Sequence, residues 1–188
     1  MEKTDSELIY NALEGDDTAF KELLERHLKR VYNFVYRLSG NTEESKDITQ
    51  DTFVKIWKNL KKYKKEFSFK TWIINIAKNT TIDYLRKKKA FTFSDFDNID
   101  SEESFEEKIV DTEPLADELF EKEENKILAE KILLKIPMQK RMIILMHINE
   151  ELSFEEIAKI LNKPTNTIKS QYRRALLELK KNIENAPN

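Results

Sequence analysis

Between residues 55 and 72, Lys55, Lys58, Lys61, Lys62, Lys64 and Lys65 are interleaved with Trp57, Tyr63, Phe67, Phe69 and Trp72. Ammonium groups attract phosphates whatever the base sequence, and aromatic faces are platforms on which unpaired bases stack, so the pattern suits single-stranded nucleic acid. Tyr63 and Phe67, in a predicted loop, are the stacking candidates; Trp57 and Trp72 fall on apolar helix faces and are assigned to packing. A second set, Asn166, Lys169, Ser170, Arg173 and Arg174, recurs at helical spacing. Those side chains hydrogen-bond base edges and phosphates in a DNA major groove. Its plainer alternative is the solvated face of a helical hairpin.

A third set, Asp47, Gln50, Asp51 and Lys55, shares one helix face. Carboxylates so spaced can hold a metal or exchange protons, but nothing else converges on them. A solvated face and a charged docking surface for a protein remain as readings. His27 lies in an apolar stripe with no cysteine or second histidine beside it, and is read as a core or boundary histidine rather than a metal ligand. His147 is equally isolated. There is no cysteine and no glycine-rich phosphate loop, so neither enzymatic activity nor any metal or cofactor is expected.

The elements that must position these groups are helical. Ser153 and Glu156 form a capping box that starts a helix with Ile157, Ile160 and Leu161 on one face. Asn162 tolerates the left-handed conformation that ends it, and Pro164 keeps the turn short. Thr165 is the expected cap of a second helix, apolar at Ile168, Tyr172, Ala175, Leu176 and Leu179. This is helix, turn, helix. Upstream, a short helix carries Leu8, Ala12 and Leu13. A long one begins at Asp16 or Asp17, carries Phe20, Leu23, Leu24, His27, Leu28, Val31, Phe34, Val35 and Leu38, and stops at Gly40. Thr42 is the predicted cap of the next, apolar at Ile48, Phe53, Val54, Ile56, Trp57 and Leu60. A further helix over 69–89 buries Trp72, Ile73, Ile76, Ala77, Ile82 and Leu85. It exposes Lys78, Asn79, Asp83 and Arg86 to Lys89, the last of which also suit its dipole. Helices over 114–136 and 138–148 complete a four-helix C-terminal domain, with Pro137 between them.

Composition agrees. Only two glycines and four prolines interrupt 188 residues rich in Leu, Ile, Lys and Glu, which predicts an all-α fold. The net charge of −2 hides its distribution: residues 91–124 hold fourteen acids and two lysines, a net of −12, and the flanks keep 31 basic against 21 acidic residues. Two small basic helical domains joined by an acidic flexible linker are therefore expected, over 1–90, 91–124 and 125–188. A disordered spacer and a charge mimic of nucleic acid explain the linker equally well. No apolar run approaches the ~20 residues of a spanning helix and no leader is visible, so no membrane insertion and a cytoplasmic location are expected.

Taken together these blocks resemble bacterial RNA polymerase sigma factors of the extracytoplasmic-function (ECF) type, over nearly the whole chain. Asp47-Ile48-Thr49-Gln50-Asp51-Thr52-Phe53-Val54-Lys55-Ile56-Trp57 is similar to the family's helix that docks on the polymerase clamp. Phe69 to Asn79, with Asp83-Tyr84-Leu85-Arg86-Lys87, is similar to its minus-ten helix. Ile136-Pro137, Arg141, Glu156-Ile157-Ala158, Thr167-Ile168-Lys169-Ser170 and Arg173-Arg174-Ala175 are similar to its minus-thirty-five reader. The resemblance implies a transcription initiation factor whose partners are core RNA polymerase, promoter DNA and an anti-sigma factor. Asp47, Gln50, Asp51 and Lys55 would dock on polymerase. Lys61, Lys62, Tyr63, Lys64, Phe67, Lys78, Asn79 and Arg86 would hold the melted minus-ten strand. Asn166, Lys169, Ser170, Arg173 and Arg174 would read the minus-thirty-five duplex, and the acidic linker would thread a basic polymerase channel.

The turn departs from the family pattern, with Asn162 and Lys163 in place of glycine and an apolar residue, and with Thr165-Asn166 ahead of Thr167-Ile168. The rival reading is a stand-alone duplex-binding regulator whose N-terminal domain senses or dimerises. It explains the helix-turn-helix but neither the lysine and aromatic interleaving nor the acidic strap.

Overall fold

The computed structural model describes residues 3–64, 66–89 and 123–185. All regular structure in them is helical, and the chain divides into two compact units, Met1–Leu85 and Arg86–Asn188. The acidic linker falls almost wholly outside the described residues.

In the first unit α1 spans Asp5–Leu13, α2 Asp17–Ser39, α3 Thr42–Asn59 and α4, which runs on past Leu85, Phe69–Lys89, with a single 3-10 turn at Leu60–Lys62 after α3. Each start has a local cause. Thr4 and Glu7 form a capping box on α1, and Asp16 accepts from the amides of Thr18 and Ala19 at 2.9 and 3.1 Å on α2. Asn41, one residue before the expected Thr42, caps α3 by accepting from the Glu44 amide at 3.0 Å. Its carbonyl-bearing side chain reaches the third amide of the turn. Gly40 ends α2 at φ 73°, a left-handed conformation that costs glycine little.

Leu8, Leu23, Val31, Phe34, Val35, Leu38, Ile48, Ile56, Ile73 and Ile74 form the buried core of this unit. Each such side chain contributes about 1.5–3 kcal/mol by leaving water. Small hydroxyl residues complete it. Thr52, Thr80 and Thr81 are buried and donate to the carbonyls of Ile48, Ile76 and Ala77 at 2.7–2.9 Å, so their polarity is satisfied inside their own helices.

In the second unit α5 spans Glu123–Leu134, α6 Met138–Ile144, α7 Phe154–Leu161 and α8 Thr165–Glu184. A π turn, Leu145–Asn149, extends α6. From Arg141 to Met146 every residue is buried, as expected of a helix enclosed by its neighbours. Buried Arg141 supplies what the carboxyl end of α5 lacks: its Nη1 donates to the carbonyls of Leu134, Ile136 and Leu133 at 2.9, 3.4 and 3.5 Å. Burial brings its pKa down to about 10, which leaves it charged at neutral pH.

Candidate nucleic-acid interface

The helix-turn-helix forms as its sequence dictates. Ser153 and Glu156 close the capping box, the Ser153 hydroxyl accepting from the Glu156 amide at 3.2 Å and the Glu156 carboxylate accepting from the Ser153 amide at 2.9 Å. Asn162 adopts φ 52° and ψ 47°, and the next amide, Lys163, donates back to Ala158 at 3.0 Å. One expectation is corrected. Thr165 is the first residue of α8, not its cap: Pro164 holds that position and makes no side-chain bond. Proline's fixed φ of −60° suits the approach to the helix without one.

Three rings then fix how α8 is turned. His147 stacks on Phe154 at 4.2 Å and meets Tyr172 edge-on at 4.8 Å, and its Nδ1 lies 2.8 Å from the Leu152 carbonyl, which assigns the proton to that nitrogen. Lys140 pairs with Glu178 at 2.9 Å and ties α6 to α8. With Ile168, Gln171 and Ala175 facing inward, Asn166, Lys169 and Arg173 are left exposed along one stripe, flanked by half-buried Ser170 and Arg174. The Ser170 hydroxyl donates to the Thr167 carbonyl at 2.9 Å, so toward a ligand it offers its lone pairs.

In the first unit, Lys55, Asn59, Lys62, Trp72, Ile76, Asn79 and Thr80 line a pocket of about 290 Å³ between α3 and α4. Its wall is an indole and an isoleucine, its polar groups are two amides and the Thr80 hydroxyl, and its cations are lysines. Lys55 also lies 4.0 Å from Asp83, bridging the two helices. The exposed lysines Lys61, Lys62 and Lys64 follow along the loop. Tyr63 donates its hydroxyl to the Phe67 carbonyl at 2.9 Å and packs against Phe69 at 5.4 Å and Trp72 at 5.3 Å. Burial, and then the charge of Asp5, raises its pKa. Tyr63 thus packs as well as bordering the loop, Phe67 is half-buried, and Trp72, assigned to packing alone, also lines the pocket.

Lys78 departs from the exposed position expected of it. Thr71, Ile74, Lys78, Thr81 and Leu85 recur at three and four residues along the buried side of α4, and Lys78 is 8% exposed. Burial lowers its pKa, with Asp83 acting in the opposite direction. Asn79 and Arg86 are exposed, as expected. On α3 the outward face carries Asp47, Gln50 and Asp51, and Val54, expected to face inward, is 44% exposed beside them. Its spacing of three from Asp51 and seven from Asp47 was the available signal. Trp57 is likewise 46% exposed, one side resting on Phe20 with ring centroids 4.5 Å apart.

Both units have counterparts in known proteins. The sequence matches two segments of the sigma-70 class, Sigma-70 region 2 over residues 23–91 and Sigma-70 region 4 over residues 127–179. It is 31% identical to the ECF RNA polymerase sigma factor SigW of Bacillus subtilis over 185 residues, covering 97% of this chain and 98% of that one. It is 30% identical to the ECF RNA polymerase sigma-E factor of Escherichia coli K12 over 175 residues, 92% and 90% of the two chains. The chain belongs to the ECF family of RNA polymerase sigma factors, which act in transcription initiation. Solved structures share its fold. CnrH in complex with the cytosolic domain of CnrY matches with a TM-score of 0.67 at 20% identity, covering 97% of this chain and 99% of that one. RpoE of Bartonella quintana in complex with the anti-sigma factor NepR matches at 0.64 and 23%, covering 89% and 98%. No described helix is long and apolar enough to cross a membrane.

Proposed function

We propose that the two units divide promoter recognition between them. Residues 1–90 dock on core RNA polymerase through Asp47, Gln50, Asp51 and the apolar Val54 beside them, and capture the melted minus-ten strand; Lys55, expected in the docking set, lines the pocket and is assigned to the strand instead. Residues 125–188 read the minus-thirty-five element as duplex, through Asn166, Lys169, Ser170, Arg173 and Arg174. Residues 91–124 span the two. Tethered readers gain effective concentration once polymerase fixes their separation.

The observation that carries this reading is the pocket. An unpaired base stacks on the Trp72 indole, and the amides of Asn59 and Asn79 can both donate to and accept from its edge. Lys55 and Lys62 at the pocket, with Lys61 and Lys64 along the loop, neutralise the adjoining phosphates, and Arg86 extends the basic track. Tyr63 and Phe67 border the loop as further platforms. Lys78, being buried, takes no phosphate contact and supports α4 instead. An anti-sigma factor, as in the solved relative held by NepR, is the third partner, and the protein works in the cytoplasm.

The test uses this protein bound to core polymerase and a duplex it selects from a randomised pool, with 2-aminopurine placed in the non-template strand of the minus-ten segment. Fluorescence rises on opening if the reading is right and is lost with Trp72→Ala while the duplex stays bound. An unopened duplex with the unmodified protein overturns it.

A further inference from the structure

The same unit contains a chain of contacts that starts on α1 and ends at the pocket wall. Asp5, in the first turn of α1, places Oδ2 2.8 Å from His27 Nε2 and accepts from Arg26 Nη1 on Oδ1 at 2.8 Å. Asp5 and His27 are twenty-two residues apart and tie α1 to α2. The His27 ring is 6% exposed, and its edge meets Phe69, the first residue of α4, with centroids 5.4 Å apart at 67°. Phe69 in turn packs on Tyr63 at 5.4 Å and on Trp72 at 5.6 Å. Trp72 lines the pocket, and Tyr63 clamps the loop through its bond to the Phe67 carbonyl.

Each link restricts the next. A carboxylate accepting from Nε2 fixes both the tautomer and the ring plane of a neutral imidazole. A fixed ring plane limits where the Phe69 ring can lie, and Phe69 sits at the corner where the loop becomes a helix. We propose that Asp5 and His27 are positioning residues for single-strand capture: from α1 and α2 they hold the Phe69, Tyr63 and Trp72 rings so that the pocket is formed before DNA arrives. A preformed pocket binds more tightly because the ordering of rotamer-rich rings has already been met in folding. The inference rests on the minus-ten reading of the pocket.

The experiment uses the full chain bound to core polymerase and, as probe, a single-stranded DNA that this complex selects from a randomised pool. Asp5→Ala is expected to weaken probe binding about tenfold through faster dissociation, with polymerase binding unchanged. Asp5→Asn, whose carbonyl can still accept from His27, is expected to restore most of it. Arg26→Ala, which removes the other bond to Asp5, measures general loosening and is expected to keep probe affinity. In the free protein a Trp57→Phe background leaves Trp72 as the sole indole, and acrylamide quenching of its emission should rise with Asp5→Ala but not with Arg26→Ala. Probe affinity and quenching that follow thermal stability alone, equally in Asp5→Ala and Arg26→Ala, overturn the positioning role. Failure of the unmodified complex to select any probe overturns the underlying reading instead.

Discussion

The two units present the groups proposed to meet DNA in opposite ways. On α8 the readers stand on a regular helix, and the side chains that orient it, His147, Phe154, Tyr172 and Lys140 with Glu178, are a different set from the readers themselves. Around the pocket the two sets overlap: Trp72 both packs on Tyr63 and Phe69 and lines the cavity, and Lys55 both approaches Asp83 and forms part of the wall. The difference suits the ligands proposed for them. Duplex DNA brings a fixed groove, so a rigid helix with outward side chains suffices. A single strand has no shape of its own, so the protein must supply a cavity whose walls are also its structure. Substitution at the pocket should therefore cost stability and binding together, and substitution on α8 should cost binding alone.

The largest effect is expected where the second unit is held rather than where it reads. Arg141→Ala removes a buried charge that caps α5, and is expected to lower that unit's unfolding free energy by about 3 kcal/mol, read by denaturation. Polymerase binding through the first unit should survive, and its loss would mean that the units do not fold separately. Next, Arg173→Ala is expected to weaken binding to a selected minus-thirty-five duplex by about 1–3 kcal/mol with no change in melting temperature. Trp72→Ala is expected to lose about 1–3 kcal/mol of single-strand affinity and to lower the melting temperature as well. Equal stability losses in the two variants would break the comparison.

Gln171 sharpens it from the other side. Its amide nitrogen is buried without a hydrogen-bond partner among the described residues. Gln171→Leu is expected to stabilise the second unit by about 1 kcal/mol, measured by thermal unfolding, and to leave duplex binding unchanged. The smallest effect concerns His27. Burial lowers its pKa while Asp5 opposes, so the folded chain favours the neutral ring. Below its ordinary pKa of about 6.5 the unfolded chain gains a proton that the folded chain resists, so stability falls on acidification. Each tenfold difference in proton affinity between the folded and unfolded chains corresponds to about 1.4 kcal/mol. His27→Gln should flatten that slope as the pH falls through and below the ordinary imidazole range in denaturation series. An unchanged slope would place the sensitivity elsewhere.

How much was legible in the sequence follows the same division. The helix-turn-helix could be read because its signals are local: the Ser153 and Glu156 box, the left-handed Asn162, and a stripe from Ile168 to Ala175 each act within a turn or two of chain. Lys78 and Val54 were harder to read, because residue type argued against position even where spacing, as for Val54, argued for it. A lysine stem can lie along an apolar face, and a valine can stand outside among acids. Arg141 stands out by its place in the motif, but its partners, carbonyls from 133 to 136, become a site only when α5 ends against α6. The pocket needs α3 and α4 side by side, a long-range arrangement that a run of lysines and rings does not specify. Asp5 and His27 are the extreme case, since the contact that joins them appears in no local pattern.

The most direct measurement of the central claim is gel filtration of the purified protein with core RNA polymerase lacking any sigma factor, without DNA, beside the Asp51→Ala and Arg173→Ala variants. The account predicts co-elution of the unmodified protein and of Arg173→Ala, and weakened co-elution of Asp51→Ala. Absence of any complex, with specific duplex binding by the protein alone, would contradict it.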